Sequence, residues 1–304
     1  MKMKLWQRIR NDWQLYLFLL IPLAYILIFA YVPMAGAQIA FRKFSARLGI
    51  WGSPWVGMEN FVRFFGSYQF VQVVKNTLIL SASIIIIGFP VPLLFALLIN
   101  SLTSQKFKKV SQTIVNLPHF ISIVVLVGML FQIFNVNTGL YGTIMRALTG
   151  EKPVDLFSNP NNFRIMYILS EVWQQFGWGS IIYLAALSGV STELHEAAII
   201  DGASRFQRVR HVDFPGILPT ITILLILRTG SVMSIGFEKV FLMQNSINLP
   251  VSEVISTYVY KVGLTGISDF SYSTAIGLFN SVINLIMIGS VNFIAGRAGD
   301  TSLW

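Results

Sequence analysis

The stretch of sequence that says most about this protein, residues 193–219, reads ELHEAAIIDGASRFQRVRHVDFPGILP. It is a charged segment that lies between two long apolar segments. Residues 196–200 predict a short helix with a flat alanine face, because alanine has the highest helix propensity. Gly202 permits a sharp bend after this helix because it has no Cβ. A basic stretch then leads to Pro215, where the next helix can begin.

The composition indicates an integral membrane protein. The chain is 54% hydrophobic and 12% charged, with a mean hydropathy of +0.66, whereas a soluble domain has about 25% charged residues. Several apolar segments are long enough to cross the hydrocarbon core, which takes about 20 residues in a helix. Four of them are uncharged and two contain a single ion; they are residues 13–41, 76–105, 110–145, 165–190, 216–237 and 270–296. The sequence therefore predicts an all-α integral membrane fold with six transmembrane helices.

The distribution of basic residues predicts the orientation in the membrane. An even number of spans places both termini on the same side. Lysines and arginines precede the first span and follow the second and the fourth, which assigns those segments to the cytoplasm. Arg42, Lys43 and Arg47 lie on the opposite side, but the inner segments are much shorter and therefore denser in basic residues. We predict a multi-pass protein of the cytoplasmic membrane with both termini in the cytoplasm.

The residue inventory argues against several classes of function. The formal net charge is +9, but the cations are scattered among the spans, which favours contact with anionic lipids over nucleic acid. Zero cysteines and three scattered histidines make no convincing metal site. The sequence has neither a G-x-x-x-x-G-K-[ST] phosphate loop nor a G-x-S-x-G nucleophile motif. We predict that this chain has no catalytic residues and binds no metal or cofactor.

The positions around Gly202 form a family pattern. A glutamate and two alanines are followed by an acidic residue, a glycine and an alanine, and then by a proline at a set distance. The residues are Glu196, Ala197, Ala198, Asp201, Gly202, Ala203, Val212, Phe214 and Pro215. Their spacing resembles the EAA loop of ABC-importer permeases, the surface that docks onto an ATPase subunit. From about residue 10 to residue 296, the chain resembles a permease of the carbohydrate-uptake importers, in the oligosaccharide or polysaccharide branch and similar to a maltose-type first subunit.

The resemblance implies a type I ABC-importer permease fold with a cytoplasmic EAA coupling helix. We divide the chain into three parts on this basis. Residues 1–72 hold a cytoplasmic segment, the first transmembrane helix and an outer amphipathic segment, residues 73–296 form a core of five transmembrane helices, and residues 297–304 are a short cytoplasmic tail. Aromatic residues of the outer segment are of the kind that settles at the membrane interface; they are Trp51, Trp55, Phe61, Phe64 and Phe65.

The same resemblance implies a function and a set of partners. The protein would belong to an importer that moves an oligosaccharide or polysaccharide-derived sugar across the cytoplasmic membrane. Its partners would be a second homologous permease subunit, two ATPase subunits that hold ATP and Mg, an extracellular solute-binding protein, and membrane lipids. The family pattern assigns contact with the ATPase to Glu196, Ala197, Ala198, Asp201, Gly202, Ala203, Phe206 and Arg210.

Polar residues inside the predicted spans are candidates for the substrate path. Glu171, Gln174, Gln175 and Trp178 are spaced i, i+3, i+4 and i+7, which places them on one helical face. The last span carries Asn280 and Asn284, which we add to the path. Amide side chains donate and accept the hydrogen bonds that sugar hydroxyls need, and an indole ring offers a stacking surface. The alternative is that these residues bond one helix to another, and for any single residue the two interpretations are level.

Two ionisable residues within the spans, Glu171 and Arg228, lie at matching distances from the outer ends of their helices. A buried ion pair is the least costly arrangement for two charges in the membrane. We therefore predict that Glu171 and Arg228 pair with each other, and we include both among the residues along the path. His119, beside a proline near a helix start, is predicted to be a structural residue.

Two other classes of function remain as alternatives. The first is an ion-coupled secondary transporter of a polar solute, a class that often has repeats, broken helices and intramembrane carboxylates. Glu171 is the carboxylate that fits this class, and no internal repeat is visible. The second is a scaffold or sensor without transport activity, which leaves the EAA pattern unexplained.

Overall fold

The structure, a computed structural model, describes residues 12–265 and 268–298. Over these ranges the chain is helical, apart from loops and one isolated antiparallel bridge between Arg42 and Trp55. The contacts divide it into a smaller unit, residues 12–66 with 259–265 and 268–278, and a larger unit, residues 67–258 and 279–298. The first residues of the predicted cytoplasmic N-terminal segment, 1–11, and the end of the predicted tail, 299–304, lie outside the described residues.

The smaller unit begins with one continuous helical stretch. The α-helix Trp13–Ile26 continues into a π-helical turn at Leu27–Tyr31, just before Pro33. Proline has no backbone N–H, and its ring clashes with the carbonyl one turn earlier, so a regular α-helical turn is disfavoured there. The unit continues with Val32–Met34, the 3-10 helix Ala35–Phe41, Gly49–Gly52 and Glu59–Phe65. The helices Ile255–Leu264 and Phe270–Ala298 are shared: residues 255–258 and 279–298 belong to the larger unit, and the rest belong to the smaller unit.

The core of the smaller unit is built from the outer segment itself. Phe61 packs in a buried cluster with Ala40 and Ala275, and Phe64 is fully buried. Asn60 donates a hydrogen bond of 2.8 Å to the Ala40 carbonyl. The prediction of membrane-interface contact is therefore wrong for Phe61 and Phe64, because tertiary packing covers both rings. Trp51, Trp55 and Phe65 are exposed, so for them the prediction stays open.

The larger unit contains most of the helices. Pro90 and Pro92 begin a new helix after a π-helical turn, as prolines in the first turn of a helix do. In chain order the elements are Tyr68–Ser83, Ile84–Gly88, Pro90–Asn100, Gln105–Asn116, Leu117–Phe120, Ile123–Ile133, Leu140–Thr149, Leu156–Ser158, Pro160–Ser188, Thr192–Ile200, Arg205–Arg208, Val209–Asp213, Phe214–Gly216, Leu218–Thr229, Phe237–Met243 and Leu249–Ser252.

The helix Pro160–Ser188, called the Glu171 helix below, organises the packing of the larger unit. Its Tyr167 is 1% exposed and lies in a buried cluster that includes Leu80 and Val240. Its Tyr183 lies in a second buried cluster with residues of the helix Pro90–Asn100. At Gly177 the backbone of Val115 approaches so closely that a Cβ would overlap its carbonyl group. A glycine is therefore required where the Glu171 helix meets the helix Gln105–Asn116.

The number of membrane spans is confirmed only in part. By length and composition, three described helices qualify to cross a membrane: Trp13–Phe41, Tyr68–Asn100 and Phe270–Arg297. Two bent helix pairs, residues 105–133 and 205–229, raise the number to five if each pair is one span. The Glu171 helix has 29 residues and is long enough for a span at 1.5 Å per residue. The predicted total of six spans remains a prediction.

A substitution at Asn76 tests the packing of the larger unit. The side chain of Asn76 makes three hydrogen bonds and is only 2% exposed. Its amide nitrogen donates to the carbonyls of Pro250 and Glu253, and its amide oxygen accepts from Arg164. We expect Asn76→Ala to lower the free energy of unfolding by about 1–3 kcal/mol, because buried partners lose their hydrogen bonds. Thermal unfolding in detergent measures this loss. Asn161→Ala, at an exposed position, is the control, and equal unfolding temperatures for the two variants would contradict the prediction.

Candidate functional site

A buried lysine connects the polar residues of the Glu171 helix. Lys239 is 1% exposed, and its Nζ donates to Glu171 Oε2 at 3.0 Å and to Gln174 Oε1 at 3.3 Å. The Gln174 amide nitrogen donates in turn to the Ile121 carbonyl at 2.9 Å. A buried cation is tolerated when a carboxylate pairs with it and hydrogen bonds satisfy its protons. Glu171 and Gln174 therefore fix the segment that carries Lys239 against the Glu171 helix.

The predicted pair of Glu171 with Arg228 is wrong. Glu171 pairs with Lys239 instead, and among the described residues no carboxylate lies within 4.0 Å of the Arg228 guanidinium. Lys239 lies between the predicted spans 216–237 and 270–296, and the sequence therefore predicts a loop position for it. The structure folds that loop into the core, where Val240 and Met243 are buried beside it. The signal for this was the apolar run that follows Lys239, residues 240–243, in the helix Phe237–Met243.

A cavity of about 380 Å3 lies along the Glu171 helix. Its lining includes Glu171, Gln175, Trp178, Tyr183 and Arg228. Its volume falls within the range of about 300–1,000 Å3 that small-molecule sites occupy. Of the residues predicted for the path, these four reach the cavity: Glu171, Gln175, Trp178 and Arg228.

His119 supports the aromatic wall of this cavity. Its ring stacks on the Trp178 indole with centroids 4.5 Å apart and planes 4° apart. Its Nδ1 lies 2.9 Å from Gln175 Oε1, so it donates to that oxygen. Phe120 meets the same indole edge-on. Trp178 is thus held in one orientation by its neighbours while 47% of its surface remains exposed.

Arg228 lies between two cavities. It lines the large one and also a second cavity of about 110 Å3, whose lining includes Glu171, Tyr167, Ser231 and Ser234. Arg228 belongs to the helix Leu218–Thr229, near its C-terminal end, and is exposed. The two cavities therefore share the same carboxylate and the same guanidinium.

The remaining predicted path residues have other surroundings. Gln174 is 2% exposed and its amide is engaged at both ends. Asn284 accepts from the Met233 amide at 2.9 Å and donates to the Ser234 hydroxyl at 2.8 Å, which bonds the last helix to the segment that follows the helix Leu218–Thr229. Asn280 is partly buried, and its Oδ1 has no hydrogen-bond partner among the described residues. None of the three lines either cavity. For Gln174 and Asn284 the geometry matches the helix-bonding interpretation.

The segment around Gly202 folds as two short helices with a turn between them. Ser191 caps the helix Thr192–Ile200, which holds Glu196, Ala197 and Ala198. Gly202 then has a φ of 76°, and a Cβ added there would meet nothing within 4 Å, so the backbone alone requires glycine. Ser204 and Gln207 form a capping box that starts the next helix, Arg205–Arg208. Residues 196–200 lie within the helix Thr192–Ile200 and the bend falls at Gly202, whereas the coupling role of this helix stays a prediction.

One buried carboxylate ties this segment to the rest of the larger unit. Asp213 is 2% exposed; its Oδ1 lies 3.2 Å from His195 Nε2 and accepts from the Asn100 amide at 3.2 Å. Asn100 ends the helix Pro90–Asn100. The segment also exposes apolar side chains: Leu194, Ile199, Ile200 and Phe206, the last two 84% and 73% exposed.

Residues 88–299 match the family described as "Binding-protein-dependent transport system inner membrane component". The chain belongs to this family. It is accordingly a multi-pass membrane protein and a non-catalytic permease component of an ABC system, as the sequence predicts. The matched range includes every residue predicted for coupling and for the path.

Similar proteins cover nearly the whole chain. Protein LplB of Bacillus subtilis is 43% identical over 97% of this chain and 92% of its own length. The polygalacturonan/rhamnogalacturonan transport system permease protein YteP of the same organism is 42% identical over 95% of this chain and 90% of its own. Among solved structures, a chain of a bacterial ABC transporter involved in the import of the acidic polysaccharide alginate is 39% identical, with a TM-score of 0.88 and coverage of 97% of this chain and 99% of that chain.

The Glu171–Lys239 pair predicts strongly non-additive effects of mutation. Glu171→Gln should cost about 3–5 kcal/mol of stability, because it leaves Lys239 buried without its counterion. The double variant Glu171→Gln/Lys239→Met should recover most of that loss, since it removes both charges. Thermal unfolding of the single and double variants measures the coupling. The same cycle with Arg228→Met in place of Lys239→Met is the control; additivity with Lys239 and coupling with Arg228 would contradict the observed pairing.

Proposed function

We propose that this chain and a second permease subunit form the path by which an ATP-driven importer takes up an oligosaccharide derived from a polysaccharide. The feature that carries the proposal is a cavity with a fixed indole, an amide and a tyrosine at its wall, in a chain of this permease family. Relatives named for polygalacturonan, rhamnogalacturonan and alginate support a carbohydrate substrate. A stacking ring beside hydrogen-bonding groups is the combination that a sugar requires.

We further propose that residues 193–213, the coupling segment, contact the ATPase. Its exposed Ile200 and Phe206 give it an apolar surface, which suits burial against a partner. Its basic side chains Arg205 and Arg210 are also exposed, and basic residues favour a cytoplasmic location. Both chain termini are on the same side in this arrangement. ATP and Mg would be bound by the ATPase subunits.

The internal contacts support a transfer of motion from the coupling segment to the cavity. Asp213 connects His195 on the segment with Asn100 at the end of a helix. The other end of that helix carries Pro92, which lines the cavity. ATP-driven closure of the ATPase dimer would push the segment, and the two permease subunits would then rock as rigid bodies between inward-open and outward-open states. An extracellular solute-binding protein would deliver the sugar; the alginate transporter has also been solved with a pentasaccharide-bound periplasmic protein.

The arrangement of charges disfavours the ion-coupled alternative. Secondary transporters often use an intramembrane carboxylate to bind and release a coupling proton. Glu171, the candidate for that role, is held by Lys239 at 3.0 Å. Among the described residues no group of three or more acidic or histidine side chains is arranged to hold a metal ion. The membership in a binding-protein-dependent family points the same way.

Gly202→Val tests the coupling segment. Valine in the left-handed region costs about 1–2 kcal/mol of backbone strain, so the bend should open and ATP hydrolysis should no longer drive uptake. Gly150→Val is a matched control, because Gly150 has a φ of 74° and open space around its Cβ position but lies outside the segment. Uptake and ATPase activity of the reconstituted complex are measured for both. Normal coupling in Gly202→Val with the ATPase still bound would refute this role.

Trp178→Ala tests the path. Loss of the stacking ring should reduce uptake per assembled complex several-fold, with sugar capture by the solute-binding protein and basal ATPase activity largely unchanged. Trp173→Ala is the control, because Trp173 is on the same helix and is equally exposed, at 46%, but does not line the cavity. The helix-bonding interpretation instead predicts poor assembly with normal uptake per complex.

The absence of native cysteines permits a direct test of water access. Cysteines at Gln175 and Trp178 should react with a membrane-impermeant thiol reagent in at least one nucleotide state, whereas a cysteine at the fully buried Ala96 should not. If the cysteines at both cavity positions stay unreactive toward the reagent in every nucleotide state, these positions do not face water.

A further inference from the structure

Arg228 is a cation beside the sugar cavity, and the structure gives it no counterion among the described residues. Glu171, the carboxylate that shares both cavities with it, is already neutralised by the buried Lys239. Taken together, Glu171, Lys239 and Arg228 leave one positive charge. Because Lys239 is 1% exposed and Arg228 is exposed, that charge is presented to the cavities by the guanidinium.

An unpaired guanidinium within the span of a membrane protein is costly, and such residues usually mark the path of a charged ligand. Arginine has a planar fork of donors that matches a carboxylate through two parallel hydrogen bonds. A neutral sugar needs no such group, since its hydroxyls are satisfied by amides and other hydroxyls. The unpaired guanidinium therefore points to an anionic ligand with a planar oxyanion.

We propose that the cavity selects an acidic oligosaccharide and that Arg228 receives the carboxylate of a uronic acid residue while the ring stacks near Trp178. Gln175 and Tyr183, which line the same cavity, would bond the hydroxyls. Lys239 acts in this arrangement as a positioning residue: it neutralises Glu171, which otherwise would repel the substrate carboxylate. This inference rests on the proposed function and assigns the charge of its substrate.

The test uses equilibrium binding to the assembled permease–ATPase complex in detergent, without the solute-binding protein, so that selection by that protein does not enter. The probes are a trigalacturonate and its fully methyl-esterified form, which has the same rings but no charge. The wild-type complex should bind the acid more tightly than the ester. Arg228→Gln should weaken binding of the acid by about tenfold or more and leave the ester unchanged, and Arg228→Lys should restore part of the loss.

Arg146→Gln, at an exposed arginine outside the cavity, is the control and should leave binding of both probes unchanged. Equal weakening of acid and ester in Arg228→Gln would overturn the proposal, as would equal affinity of the wild type for the two probes. Failure of the Arg228→Gln complex to assemble, with normal assembly of Arg228→Lys, would assign the guanidinium to an acidic group of another subunit and would also overturn it.

The outcome is separable from that of the proposed function. If Arg228→Gln has no selective effect while Trp178→Ala still reduces uptake, the path stands and the charge assignment fails. If neither probe binds and Trp178→Ala takes up substrate normally, the cavity is not the path, and both proposals fail.

Discussion

The burial of Lys239 is the constraint on which the larger unit depends. A lysine that is 1% exposed needs a counterion and hydrogen-bond acceptors, and Glu171 and Gln174 supply them at 3.0 and 3.3 Å. These contacts hold the segment after the fifth predicted span against the Glu171 helix. The hydrophobic cluster around Tyr167, whose ring centre lies 5.9 Å from the Lys239 ammonium, encloses the network. If the network were lost, the segment would have to carry an uncompensated charge into the core.

The same network gives neighbouring residues of the Glu171 helix different surroundings. Gln174 faces the buried lysine and is fully engaged, whereas Gln175 and Trp178 line the cavity. Residues on one broad helical face therefore have different roles, because the segment that carries Lys239 covers only part of that face. The side that stays open holds an indole fixed by His119, so the cavity wall is organised before any ligand arrives. Preorganisation of this kind lowers the entropy cost of binding.

The coupling segment and the cavity are parts of one connected body. Asp213 joins the segment to Asn100, and the helix that ends at Asn100 packs through Leu93 and Leu97 in a buried cluster with Tyr183. Tyr183 also lines the cavity. Close packing transmits displacement because interiors have few voids to absorb it. Movement of a surface segment can thus reach the cavity wall without a flexible joint, apart from the bend at Gly202.

The sequence by itself determined the membrane class, the helical bend at Gly202 and the family, because apolar run length, the absence of a Cβ and residue spacing are local properties of the chain. It also identified Glu171, Gln175, Trp178 and Arg228, which do line one cavity. Only the tertiary structure decided the ion pairing: matched depth suggested Glu171 with Arg228, but distance in space depends on which segment folds back. Lys239, which the sequence assigns to a loop, forms the ion pair with the Glu171 carboxylate. Arg228 therefore has no counterion in the pair and lines the cavities.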